Sequence, residues 1–307
     1  MLYKWNVQRR KAHFYSQTKG ILDTPPMPVV DAPWSIVSMV SNSDVQMYIL
    51  AVKSFYAPLG RGRIVAIVDR DMPIASRQML THHFPGILFT ILEDIHTGAC
   101  QRGGTWERLL HLLDRSETEY VIQLDADTLT FGDISEVKDL IENNVAFTLN
   151  GSTSKDGSTR PSDLIRPIEQ IAAEARQFES DYIGIVAERL FDQYPDAEKF
   201  KYVRGSSGFV GLAKQGIQRS EIEKFHAFGE NLLGNRWLEW GTEQSASNFS
   251  VANTPGAVVL PYPKYGNFDP DAIHPNGSFL HFIGSRRYAG GHFASLAANV
   301  IKDLNRA

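Results

Sequence analysis

Between Trp34 and Asp127, short apolar runs alternate with amphipathic stretches, and this alternation narrows the possible folds more than any other feature of the chain. WSIVSMV is followed by Ser43, read as a helix cap, and by Val45, Ile49, Val52 and Tyr56 at spacings that share one helix face. RIVAIVD, a stretch opened by Pro73 and running to Phe84, ILFTIL, the stretch from Thr105 to Asp114, and YVIQLD continue the pattern. The strand-like runs do not alternate apolar with polar, so they predict burial on both faces. Short connections between them argue for a mostly parallel α/β sheet with helices on both faces.

After VAFTL the polar run GSTSKDGSTRPS predicts a surface loop, spanning Gly151 to Ser162, that serves as lid or linker. Helical patterns follow at about Asp163 to Phe178 and Asp181 to Tyr194 before SGFVGLA returns the chain to the sheet. The remainder predicts helices at Gln218 to Leu233, Thr242 to Ser250 and His292 to Leu304, with strands in AVVL and SFLHFI. The division that results is an N-terminal extension at 1–33 and one domain at 34–307, with a helical insertion at about 151–203.

YVIQLDADTLTFGDISEV places Asp125 and Asp127 where a buried strand gives way to a turn, which in open α/β sheets is where ligands bind. Two carboxylates one residue apart repel, and a hard divalent cation, Mg²⁺ or Mn²⁺, relieves the repulsion and can carry a diphosphate. The bland alternative is that Asp127 caps the turn and Asp125 is solvated. A rival from another class is a haloacid-dehalogenase-like phosphohydrolase with Asp125 as nucleophile; that family places its pair on the first strand, whereas this pair follows at least three. A net charge of -4 excludes a broad polybasic field, so nucleic acid is not an expected partner. Cys100 is the only cysteine, which rules out an internal disulfide and fits a reducing, cytoplasmic setting. The first twenty residues mix basic and aromatic side chains without a long apolar run. They suit contact with an anionic membrane surface or, more simply, docking on the fold.

At this point the chain resembles GT-A (Rossmann-like) glycosyltransferases, most closely family 8, the type that includes glycogenin and the bacterial lipopolysaccharide galactosyl- and glucosyltransferases. The family's Arg-Leu pair before the carboxylates is matched by Arg108-Leu109, and its Asn-x-Gly turn by Ser206-Ser207-Gly208, with serine for asparagine. Its Asp-Gln-x-x-x-Asn segment is matched by Glu243 to Asn248, with glutamate for aspartate. Its closing His-x-x-Gly-x-x-Lys is matched by His281 to Arg287, with arginine for lysine, while the Pro-Trp that often follows is absent. The matches span about Trp34 to Arg287.

The resemblance implies transfer of a sugar from a nucleoside diphosphate to an acceptor hydroxyl, with retention of configuration. Asp125, Asp127 and His281 would hold Mn²⁺ or Mg²⁺, and Arg287, with the fork geometry that suits phosphate oxygens, would assist the leaving group near Gly284. Arg108 would reach the donor sugar or a phosphate, and Glu243 and Gln244 would lie beside that sugar. Ser207 and Gly208 would allow close backbone approach to donor or acceptor. Base and ribose are expected against Ser41, Asn42 and Asp69. Donors are UDP- or GDP-sugars; the acceptor is a carbohydrate, a lipid-linked molecule or a small molecule. Trp237 and Trp240 suit either stacking on that acceptor or packing, and His82 and His83 read as surface or packing residues. A degenerate transferase that binds nucleotide-sugar without turnover is the remaining alternative.

Overall fold

Apolar runs that lack alternation must be covered on both faces. In the computed structural model, which describes residues 2–151, 164–271 and 277–306, they form the middle of one sheet. Its strands are β1 (Trp34–Val40), β2 (Arg63–Val68), β3 (Leu88–Ile91), β4 (Tyr120–Leu124), β6 (Phe147–Asn150), β9 (Gly205–Leu212) and β10 (Val258–Val259). The order across the sheet is β10-β6-β9-β4-β1-β2-β3. The block β4-β1-β2-β3 is parallel, as is β10 beside β6, whereas β9 runs antiparallel to both β4 and β6.

Helices α2 (Val45–Leu59), α3 (Ile74–His83), α4 (Trp106–Ser116) and α5 (Ser135–Glu142) fill the connections between the early strands. One layer pairs α2 with the C-terminal α10 (His292–Leu304), and another brings α4 against α8 (Arg219–Leu233) and α9 (Thr242–Ala252). Helix α2 is buried almost all round and ends at Gly60, whose left-handed φ of 81° lets its N–H close back on Tyr56 O. Its start corrects the sequence reading. Ser43 does not cap it: a 3₁₀ turn over Asn42–Asp44 precedes the helix, and the Ser43 hydroxyl bonds Ser41 instead.

A second, three-stranded sheet consists of β5 (Thr128–Thr130), β11 (Tyr265–Asn267) and β12 (Phe279–His281). SFLHFI is thus a strand, but it joins this small sheet rather than the central one. Because β5 begins one residue after Asp127, its antiparallel partner β12 comes to lie beside the carboxylates, with His281 opposite Thr128.

Between β6 and β9 the chain forms β7 (Arg166–Pro167) paired with β8 (Lys201–Tyr202), α6 (Ile168–Ala175) and α7 (Ile183–Glu188). Both helices are shorter than the sequence periodicity suggests. The predicted polar loop lies outside the described residues except for Gly151. Ahead of β1, α1 (Leu2–Gln17) places Phe14 against Tyr288 and Phe293, and the following segment bonds to His83 O, Pro85 O and the Tyr56 hydroxyl. No helix among the described residues is long and apolar enough to cross a membrane.

Candidate active site and metal centre

β4 delivers Asp125 to the C-terminal edge of the central sheet, where its N–H bonds Gly208 O at 2.9 Å on the neighbouring β9. Asp127 follows in the turn, and its own carbonyl accepts the Phe282 N–H at 2.8 Å, which locks the end of β12 onto it. His281 Nε2 then lies 3.2 Å from Asp127 Oδ1 and 3.8 Å from Asp125 Oδ2. The ring fits because Gly208 has no side chain: a Cβ there would overlap all of the facing imidazole atoms. The close backbone approach read into Gly208 is therefore made to His281.

Around this triad the charges form a continuous chain. Arg287 donates to Asp127 Oδ2 at 2.5 Å, Arg108 to Asp125 Oδ1 at 2.5 Å and to Glu243 Oε1 at 3.3 Å, and Thr105 Oγ1 to Glu243 Oε2 at 3.0 Å. Burial pushes the Asp125 and Glu243 carboxyls up, against the pull of Arg108. Burial works in the same sense on Asp127, but His281 and Arg287 overcome it and hold that carboxyl below the usual range. His281 is driven up by Asp127 and Asp125 in spite of burial that opposes its charge.

The donor set fits a divalent cation. Asp125, Asp127 and His281 each offer one ligand atom, and these atoms all lie within 4.8 Å of one another. Two carboxylates and an imidazole suit Mn²⁺ or Mg²⁺ in oxygen-rich coordination, and the seat that Gly208 provides keeps the imidazole aimed at the pair. It is the one such cluster found among the described residues.

These groups line a cleft of about 290 Å³ together with Met39, Asp44 and Met47 from β1 and the start of α2, and Trp240, Gly241 and Gln244 from the start of α9. Ser207 and Gly284 are also in its wall, whereas Ser41, Asn42 and Asp69 are not. Ser41 Oγ donates to Asp44 within its own turn, Asn42 Oδ1 accepts from Ser76 at the start of α3, and the Asp69 carbonyl accepts from Arg77. The two tryptophans separate: Trp237 is fully buried, and Trp240 is 70% exposed on the cleft rim. His83 is buried and His82 exposed.

Thr105, Asp44 and Asn267 escaped the sequence reading. Thr105 follows Gly103 and Gly104, and that pair was the only available signal for a left-handed turn; its own φ is 72°, uncommon for a β-branched residue. Asn267 offered no signal, since its importance lies in a strand pairing.

In its fold the chain is similar to solved GT-A glycosyltransferases. The chain is similar to the solved structure of the galactosyltransferase LgtC in complex with donor and acceptor sugar analogs (TM-score 0.51, 14% identity, 86% of this chain and 95% of that one). An active-site mutant of LgtC matches with a TM-score of 0.50 over the same shares at 14% identity. The apo bifunctional glycosyltransferase WbbM also matches, with a TM-score of 0.50 and 14% identity over 92% of this chain; the chain spans 53% of its length. No family model matches the sequence, and no curated protein matches it.

Proposed function

We propose that this chain is a cytoplasmic, metal-dependent glycosyltransferase, similar to family 8, that moves a sugar from a UDP- or GDP-sugar to an acceptor hydroxyl with retention. The observation that carries the reading is the convergence of His281 with Asp125 and Asp127, a pair about 155 positions earlier in the chain, within one ligand sphere. The cation they would hold supplies charge neutralisation for the departing nucleoside diphosphate. Arg287, already aimed at Asp127, binds the diphosphate oxygens from the same side. Arg108 is fixed between Asp125 and Glu243, so it is preorganised to orient the donor sugar without a search through rotamers. Glu243 and Gln244 border that sugar, with Ser207 and Gly284 closing the walls.

The order of contacts gives the cleft a direction. Met39, Asp44, Met47 and Arg287 stand at the β1–α2 side, where base and ribose belong, with Ser41, Asn42 and Asp69 in the loops behind. The chain of contacts then runs through Asp127, Asp125, Arg108 and Glu243 toward Trp240. The acceptor, a carbohydrate, lipid-linked or small molecule, approaches past Trp240, whose exposed ring offers an apolar platform.

Incubation with UDP- or GDP-sugars and Mn²⁺ tests the proposal. Nucleoside diphosphate should be released slowly to water, faster with a suitable acceptor, and not at all after EDTA. Phosphate release from simple phosphomonoesters with a phosphorylated Asp125 would instead establish the phosphohydrolase reading. Tight Mn²⁺-dependent donor binding with no release under any acceptor would leave a binding protein.

A further inference from the structure

A histidine that ligates through one ring nitrogen needs its other nitrogen held, because that second contact sets both the tautomer and the ring plane. In His281, Nε2 faces the carboxylates, while Nδ1 points into a buried polar recess, 3.1 Å from Asn267 Oδ1 and 3.2 Å from Ser206 Oγ. Asn267 is 3% exposed and sits beside His281 in the parallel β11–β12 pair, so the two side chains emerge on one face. Its amide has only one sensible orientation. Nδ2 lies 3.2 Å from the carbonyl oxygens of both Asn150 and Gly151, two acceptors that demand the NH₂ group. Oδ1 must then face the imidazole, and an amide oxygen can only accept, so Nδ1 carries a hydrogen; Nε2 faces carboxylate oxygens that also only accept, and gives up its own hydrogen when a cation takes its place. The Ser206 hydroxyl can donate or accept, and adapts to whichever state Asn267 imposes.

We infer that Asn267 is a positioning residue for the metal centre: it accepts the Nδ1–H of His281, fixes the ring over Gly208, and leaves the Nε2 lone pair for the cation. The inference rests on the metal reading above. It links the end of β6, through Asn150 and Gly151, to a metal ligand on β12 by way of one amide.

Long-range ¹H–¹⁵N NMR on histidine-labelled protein loaded with diamagnetic Mg²⁺, which takes the place of the Nε2 hydrogen, reads the tautomer directly. His281 is assigned by its loss in His281→Gln. The parent should show Nδ1–H, and so should Ser206→Ala and Asn267→Asp, which retain the acceptor at Nδ1. Asn267→Leu should move the hydrogen to Nε2 and weaken Mn²⁺ binding, followed by EPR of the free ion, by roughly 10- to 100-fold. Where leucine is not tolerated, Asn267→Ala makes the same test. An Nε2–H parent, an unshifted Asn267→Leu or Asn267→Ala, or a Ser206→Ala that shifts as they do, each overturns the assignment. A parent that takes up no Mn²⁺ overturns the metal reading and with it the positioning role. The two failures are told apart because Mn²⁺ uptake by the parent is measured separately, by EPR of the free ion.

Discussion

At Gly208 a missing side chain decides where a ligand can be. The facing His281 ring occupies the space of a Cβ, and it cannot retreat because Asn267 and Ser206 stand behind Nδ1. Gly208→Ala should therefore displace the imidazole, lowering Mn²⁺ affinity at least tenfold and destabilising the fold by about 1–3 kcal/mol through overpacking. Isothermal titration and a denaturant melt read the two effects, and normal Mn²⁺ affinity in the folded variant would count against His281 as a ligand. Thr105 presents a different balance. Left-handed backbone costs an L-residue about 1–2 kcal/mol, while glycine loses about 0.5–1 kcal/mol in chain entropy and the variant forfeits a hydrogen bond of about 1 kcal/mol. Thr105→Gly should leave stability within about 1 kcal/mol of the parent, since these terms nearly cancel. It should nonetheless lower turnover, because Glu243 loses the hydroxyl that holds one of its oxygens. A variant that melts and turns over like the parent would show that the Thr105–Glu243 bond does not matter to the site.

Among the elements, α9 and the turn before it supply one part of the cleft lining. Gly241, with φ of 115°, precedes α9 and abuts Tyr182, so the turn projects Trp240 outward while Trp237 is drawn into the core beside Trp106. If Trp240 supports the acceptor, Trp240→Ala should raise the acceptor KM severalfold and leave donor KM and Mn²⁺ dependence unchanged; Trp240→Tyr should restore most of the loss. An unchanged acceptor KM would return Trp240 to the plain surface. The same scale explains what could be read in advance. Strands β1, β2 and β4 and helix α10 are long enough for their periodicity to show, and the Asp125–Asp127 pair sits at a strand end that the pattern defines. β5, β11 and β12 have three residues each, too few for a period of two to register, so the sheet that unites His281 with Asp127 was invisible. Its central link, Asn267, is an ordinary Asn in YGNF until strand register pairs it with His281. Ser41, Asn42 and Asp69 were chosen from loop position alone, and loop position does not say which way a side chain points.

Across the whole molecule, the segment ahead of β1 is tied to helices α2 and α3 over a buried titratable patch, and that patch makes stability depend on pH. Lys53, fully buried in α2, donates to Thr24 Oγ1 at 2.8 Å and Pro25 O at 2.6 Å, while the His83 carbonyl accepts the Met27 N–H at 2.8 Å. The His83 ring is buried with Nδ1 unpartnered, and burial, then Lys53 and His82, pushes its pKa down to about 4. The unfolded chain, with the ordinary histidine value near 6.5, binds a proton between about pH 4 and 6.5 that the folded chain refuses. Stability from this group is thus complete above about pH 6.5 and drains away as pH falls toward 4, by at most about 3 kcal/mol for the full shift and less if the fold relaxes around the charge. His111, also pushed down to about 4 by burial, acts in the same sense. Glu188, pushed up to about 7 by burial despite Arg204, acts in the opposite sense through an overlapping range. The parent's own slope is therefore a sum, and the informative quantity is the difference between parent and His83→Gln. Denaturant melts at pH 7.5, 6.5, 5.5 and 5.0 should show the variant less stable at pH 7.5 but losing less on acidification, so that the two curves converge. Parallel curves across that range would mean that His83 accepts its proton in the folded state as readily as in the unfolded one, and that the contact of this segment with α2 and α3 does not sense pH.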